Sequence, residues 1–344
     1  MVFIGINQNK IMINPKIFIG PMSKNIIDSI IEYSNENNIP IGIIPSRRQI
    51  ENTGGYVNKW TTIEFCKYVR EKSNNILLVR DHCGPSQGYI EDDGIDSFRE
   101  DCKDGMFDVI HVDVWKKNKD YKSGLLDTVK FIQLGYKLNP NVLYEIGTEE
   151  SIRMTTPEEL DQLLSDLSNM LIPEIFSKIK YLVIQSGTAL KGNENIGNFN
   201  QNRLIEMINI SKKYNLISKE HNGDYLTDEL LSSKFKDGLD SINIAPEFGQ
   251  IETKVILDYI INNKPELFED FYKICLDSKR WVKWVSDDFN PDENKESIIN
   301  ISGHYVFSEP RFIELLNNLE YNNLEVDIKN SIKNKIKNII EIIY

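Results

Sequence analysis

Ile76-Leu77-Leu78-Val79-Arg80-Asp81-His82-Cys83 begins as an unbroken apolar run and ends abruptly in charge. A continuous apolar run without alternation is the pattern of a strand buried on both faces, as in a parallel sheet covered by helices. The same form recurs along the chain: KIFIGPM (16–22), IPIGIIPS (39–46), DVIHVDV (108–114), NVLYEIGTE (141–149), KYLVIQSG (180–187), NLISKEHNGD (215–224) and DSINIAPEFG (240–249). Helix candidates fall between them at 62–71, 157–170, 201–213 and 226–233. After the first run, Ser23 is a suitable N-cap for a helix whose apolar face is Ile26, Ile27, Ile30 and Ile31. Eight strand–helix units in about 250 residues predict an α/β fold, a (β/α)8 TIM barrel spanning residues 1–264. The alternative, an open doubly wound sheet, lacks a GxGxxG turn after its first strand.

Residues 265–344 fall outside the repeat and predict a helical C-terminal extension packed on the barrel. Its last segment carries Ile328, Ile332, Ile336, Ile339 and Ile343 as one stripe, opposite Lys329, Lys333, Lys335 and Lys337. A helix lying on the barrel explains the stripe. A membrane-surface helix would want Trp or Phe anchors, which are missing there.

Composition narrows the function classes. Of 344 residues, 40% are apolar and 27% charged, which excludes disorder over most of the length. Acidic residues outnumber basic ones by 52 to 40, and the net charge of −12 opposes a nucleic-acid partner. No apolar run approaches a membrane span. The first residues, MVFIGINQNKIMINPK, lack the features of a signal peptide. Cys66, Cys83, Cys102 and Cys275 form no CxxC pair, so reduced thiols and a cytoplasmic location are expected.

In a barrel the active site lies at the C-terminal ends of the strands. Three of the four histidines, His82, His111 and His221, fall at such ends, and the fourth, His304, lies beyond the barrel, where a structural role is expected. Asp81 precedes His82, and His111 shares a strand face with Asp113 two residues on. Glu145, Gly147 and Glu149 share another face, while Glu220, Asp224 and Tyr225 surround His221. Imidazoles with carboxylates suit zinc or another first-row divalent ion, with further carboxylates orienting the rings from behind. For an anionic substrate, Arg47 and Arg48 are adjacent just past the second run. SGTALKGNENIG, after the sixth run, offers Gly187, Lys191 and backbone N–H groups as a phosphate cradle.

Taken in order, QIENTGGY, DHCGP, FDVIHVDV, YEIGTEE, YLVIQSG, KEHNGDY and INIAP resemble the D-tagatose-bisphosphate aldolase accessory-subunit family, the GatZ/KbaZ type, over residues 39–255. The resemblance implies a barrel related to class II metal-dependent aldolases. Asp81 and His82 correspond to the acid and ligand pair, His111, Glu149 and His221 to the rest of the metal site, and Asp113 and Asp224 to further acidic positions. The chain departs from the family pattern at Arg47-Arg48 and at Gly192, where the family carries a histidine, and its C-terminal region matches poorly.

The expectation is therefore a class II-type aldolase acting on a phosphorylated or otherwise anionic ketose. His82, His111 and His221 would hold a divalent metal, zinc first among candidates. Asp81, Glu149, Asp113 and Asp224 would be catalytic, and Arg47, Arg48, Gln49, Gly187 and Lys191 would bind substrate. The alternatives are a non-catalytic subunit stabilising a separate class II aldolase and a sugar isomerase or epimerase. A homo-oligomer is compatible with any of them. No Walker loop GxxxxGK[ST] or protein-kinase signature supports a kinase.

Overall fold

A computed structural model describes residues 14–344. Residues 1–13, which carry most of the stretch read against a signal peptide, lie outside the described residues. Eight parallel strands close into a barrel: β1 (Ile17–Ile19), β2 (Ile41–Ile43), β3 (Ile76–Cys83), β4 (Val109–Val112), β5 (Leu143–Ile146), β6 (Ile179–Ile184), β7 (Ile217–Glu220) and β8 (Ser241–Ile244). Each strand pairs with its neighbours in sequence, and β8 pairs with β1 through Ile17 and Ile242. The expected (β/α)8 barrel is thus the fold, and the open sheet is excluded.

Each strand is followed by at least one helix. The ring comprises α1 (Lys24–Asn37), α2 (Thr62–Lys72), α3 (Ile95–Asp101), α4 (Tyr121–Leu138), α5 (Pro157–Met170), the single turn α6 (Pro173–Phe176), α7 (Gln201–Lys213), α8 (Asp228–Lys236) and α9 (Pro246–Asn263). Helix starts follow local chemistry. Ser23 Oγ accepts from Ile26 N at 3.1 Å, and Thr61 and Glu64 form a reciprocal capping box on α2.

The barrel interior holds its own apolar plug of Phe18, Ile44, Leu77, Val79, Val109 and Tyr181. Gly42 on β2 leaves room for the Phe18 ring, because a Cβ there would meet the ring at 2.1 Å. On β3 the alternation sends Leu77 and Val79 inward and Ile76, Leu78 and Arg80 toward the helices. Arg80 is fully buried there and forms a fork to Asp101, with Nη2 2.8 Å from Oδ1 and Nε 2.9 Å from Oδ2.

The extension continues with α10 (Phe268–Ser278), α11 (Lys295–Ser302), α12 (Pro310–Asn318) and α13 (Leu324–Ile343). Helix α13 packs against α1, α8 and α9 and so joins the helical ring. Its isoleucine stripe is buried. Lys333 pairs with Glu32 and Glu36 of α1, and Lys335 with Glu247 of α9. No helix among the described residues is long and apolar enough to cross a membrane. All four cysteines are free and buried.

Candidate active site

The C-terminal mouth of the barrel opens into a cavity of about 580 Å³. Its floor is Asp81, His82 and His221, with His111 buried directly beneath. Asp81 and His82 are neighbours on one strand and should face opposite ways. The β3–β4 register slips between Arg80 and Cys83, and His82 takes a left-handed φ of 43°. This bulge turns the His82 ring back toward the side of Asp81. A left-handed histidine costs about 1 kcal/mol or more.

The three imidazoles pack with ring centres 5.0–5.4 Å apart. Each has one nitrogen tied to an acceptor behind it. His82 Nδ1 donates to Asp113 Oδ2 at 2.7 Å, His111 Nε2 to the Gly147 carbonyl at 3.1 Å, and His221 Nε2 to Glu145 Oε1 at 2.8 Å. These partners fix the tautomers. The remaining nitrogens converge on one carboxylate: His82 Nε2 lies 3.5 Å from Asp81 Oδ2, while His111 Nδ1 and His221 Nδ1 lie 3.4 and 3.9 Å from Asp81 Oδ1. The His82 backbone N–H donates to His111 Nδ1 at 3.3 Å, consistent with a lone pair on that atom. One ligand atom from each of Asp81, His82, His111 and His221 lies within 4.8 Å of the others. Three imidazole nitrogens, one carboxylate and a hydrogen-bonded backing fit a first-row divalent ion.

Beneath this layer Glu145 bridges His221 and Lys219. Its Oε2 is 2.5 Å from Lys219 Nζ, which sits 3.9 Å from the centre of the Phe18 ring. Burial would raise the Glu145 carboxyl, but Lys219 and then the histidines hold it well below the carboxylate range. Burial likewise raises Asp81, and His82 foremost, then His111, outweigh it. Burial pulls the His82 imidazole down, while Asp81 and Asp113 lift it to about 10.

Above the floor, Glu149 Oε2 lies 3.8 Å from His82 Nε2 and accepts from Asn222 Nδ2 at 2.9 Å. Asp224 borders the cavity with Oδ1 accepting from the Ala245 and Glu247 amides at 2.9 and 2.8 Å. Burial and then the Glu247 charge push Asp224 up to about 7. Asn243 Oδ1 is buried at the cavity edge without a partner.

Several sequence expectations need correction. Arg47 is not a substrate grip: it is buried, with Nε 2.8 Å from Glu51, Nη2 2.6 Å from Asp92 and Nη1 on the Gly84 carbonyl. Arg48 alone of that pair lines the cavity. Gln49 also lines it, yet its amide is held by Ser46 N and Met22 Sδ. Lys191 is exposed on a two-stranded hairpin, Leu190–Lys191 with Glu194–Asn195, and is not part of the cavity wall. Gly187 takes a φ of 92° against Asn198 and borders a separate, smaller cavity, so its role there is conformational. Asp113 has no exposed surface and stands behind His82, so it positions the ring rather than meeting substrate. His304 is buried against Gly249, with both ring nitrogens unpaired.

Sequence reasoning missed Lys219 and the cavity wall supplied by the extension. Lys219 lies two residues before His221 on β7, and that period alone places it inward. The extension contributes Lys279, Arg280, Val282, Lys283, Trp284 and Tyr305. Their sequence signal was the basic-aromatic run SKRWVKW in an acidic chain.

No protein-family model and no curated protein matches the chain. Solved structures do. A probable tagatose 6-phosphate kinase from Sinorhizobium meliloti superposes with a TM-score of 0.80 at 14% identity, covering 95% of this chain and 100% of that one. The fructuronate–tagaturonate epimerase from Cohnella laeviribosi gives 0.66 at 11% identity, covering 96% and 81%. The fructose-bisphosphate aldolase from Campylobacter jejuni gives 0.59 at 14% identity, covering 96% and 89%. At these identities the likeness is one of fold.

Proposed function

We propose that the chain is a metal-dependent enzyme of the class II aldolase type, acting on an anionic ketose through an enediolate. The observation that carries this is the convergence of one imidazole nitrogen from each of His82, His111 and His221 on Asp81. His82, His111 and His221 would hold a divalent ion, zinc first, and such an ion supplies Lewis-acid polarisation of the substrate carbonyl.

The remaining work falls to side chains. Asp81 takes the proton from the hydroxyl on the carbon that becomes the aldehyde. The carbon–carbon bond breaks, its electron pair stays on the ketose fragment as the enediolate, and Glu149 returns a proton to that carbon. Asn243 Oδ1 accepts from a substrate hydroxyl. Asp113 and Glu145 keep His82 and His221 in one tautomer throughout. The same enediolate serves an epimerase that rejoins the fragments or reprotonates the carbon from the other face. One structural neighbour is an epimerase and another is an aldolase.

The test is incubation of the metal-loaded chain with phosphorylated and carboxylated ketoses in D2O, followed by NMR. Fragments with deuterium at the new carbon–hydrogen bond support cleavage. An epimer without fragments supports the epimerase. Neither fragments, epimers nor deuterium uptake, with metal bound, would contradict enediolate chemistry on these substrates.

A further inference from the structure

We infer that the C-terminal extension supplies the recognition site for a phosphate monoester on the substrate, with Arg280 and Lys283 joining Arg48 and Lys116 of the barrel. This rests on the proposed enzyme function and assigns the anion-binding residues of the same cavity.

Arg48, Lys116, Lys279, Arg280 and Lys283 line the same cavity as Asp81, His82, Glu149, His221 and Asp224, and Tyr89 feels the charge of both Arg280 and Arg48. Among the described residues none of those five cations is ion-paired. Arg48 Nε reaches only the Gly88 carbonyl at 3.3 Å, and Lys116 Nζ only the Ser86 carbonyl at 2.5 Å. Arg280 stacks over Tyr89 at 4.7 Å, and Lys283 over Trp284 and Tyr305 at 4.2 and 5.4 Å. Aromatic faces steer a cation without neutralising it.

Burial and then the charge of Arg48 hold Lys116 below the ordinary lysine range, so these two sense one another. Like charges gathered in a chain of net charge −12 need a reason. In addition, the Nε1–H of Trp284, which lines the same cavity, is buried without an acceptor. An anion would supply both the acceptor and the countercharge. A single carboxylate matches one guanidinium. Several cations around one space suit a dianion with three acceptor oxygens, hence a phosphate monoester.

The extension is fixed over the mouth rather than trailing from it. Tyr305 packs edge-on against Tyr56 at 5.2 Å, and Asn58 N donates to Ser308 Oγ at 2.8 Å. Helix α10 ends at Lys279 with a left-handed φ of 53°, which sends the chain on into the 3-10 turn Val282–Trp284.

The experiment is a titration of the full chain with inorganic phosphate at constant ionic strength, followed by phosphorus NMR line width, with acetate as comparator. It is run on wild type, on Arg280→Gln/Lys283→Gln and on Lys273→Gln, an exposed lysine of α10. Saturable phosphate binding is expected in wild type and Lys273→Gln, with a dissociation constant at least about tenfold higher in the double variant and acetate weaker throughout. Equal affinity in the double variant, or acetate matching phosphate, overturns the assignment. If the double variant melts early, the two single variants replace it and are judged alike. Metal content is measured on the same samples. Bound metal with failed phosphate selectivity sinks this assignment alone, whereas selective phosphate binding without metal supports it and removes the proposed chemistry.

Discussion

His82 Nδ1 donates to Asp113 Oδ2 across 2.7 Å, and Asp113 has no surface of its own. The carboxylate therefore acts on the cavity through the ring, by holding it with Nε2 aimed at the floor. Replacing Asp113 by Asn puts an amide N–H where the acceptor was and favours a proton on Nε2. Asp113→Asn should weaken metal affinity by roughly 10–100-fold while leaving the fold intact. Competition against a chromophoric chelator measures this. Unchanged affinity would show that Asp113 does not set the tautomer.

The Arg80–Asp101 pair lies wholly outside the active site and wholly out of water. Arg80→Met leaves the Asp101 carboxylate buried with its main cation gone. The expected loss is about 3–5 kcal/mol, read as a lower denaturant midpoint. Adding Asp101→Leu should recover much of it, because the stranded charge goes with the second change. A single variant as stable as wild type would mean that water reaches the site.

Glu252 on α9 accepts from the Ser23 hydroxyl and from Asn25 Nδ2, the latter at 2.7 Å, and burial pushes it up to about 7 despite those donors. Unfolded glutamate ionises near 4.3, so between about pH 4.3 and 7 the native chain keeps a proton that the unfolded chain gives up. This contribution is full at the acid end and is lost as pH rises through the native value. Glu252→Gln has no such proton to lose. Urea melts at about pH 5 and about pH 7.5 should show wild type losing stability relative to the variant as pH rises, by about 3 kcal/mol at most. Parallel curves would contradict this.

The strands were legible because both faces are buried: ILLVRDHC is β3 to the residue, and helices 157–170 and 201–213 match α5 and α7. His111 could be placed inward with Asp113 by the period of two. His82 could be placed at the mouth but not aimed, since its direction comes from a bulge that no residue pattern announces. Arg47 and Arg48 look alike in sequence. Their roles part because Glu51 and Asp92 reach one and not the other, which is long-range packing. Lys283 and Arg280 gain their place only when the extension folds back over the barrel.

The central claim is that His82, His111 and His221 hold a divalent ion. Its most direct test is elemental analysis of the full chain after equilibration with zinc and gel filtration, on wild type and His82→Ala, with thermal melts with and without chelator. A single ion per wild-type chain, background metal in the variant, and a melting temperature that chelator lowers only in wild type are the predicted results. A wild-type chain that leaves the column without metal and melts alike with and without chelator would contradict the claim.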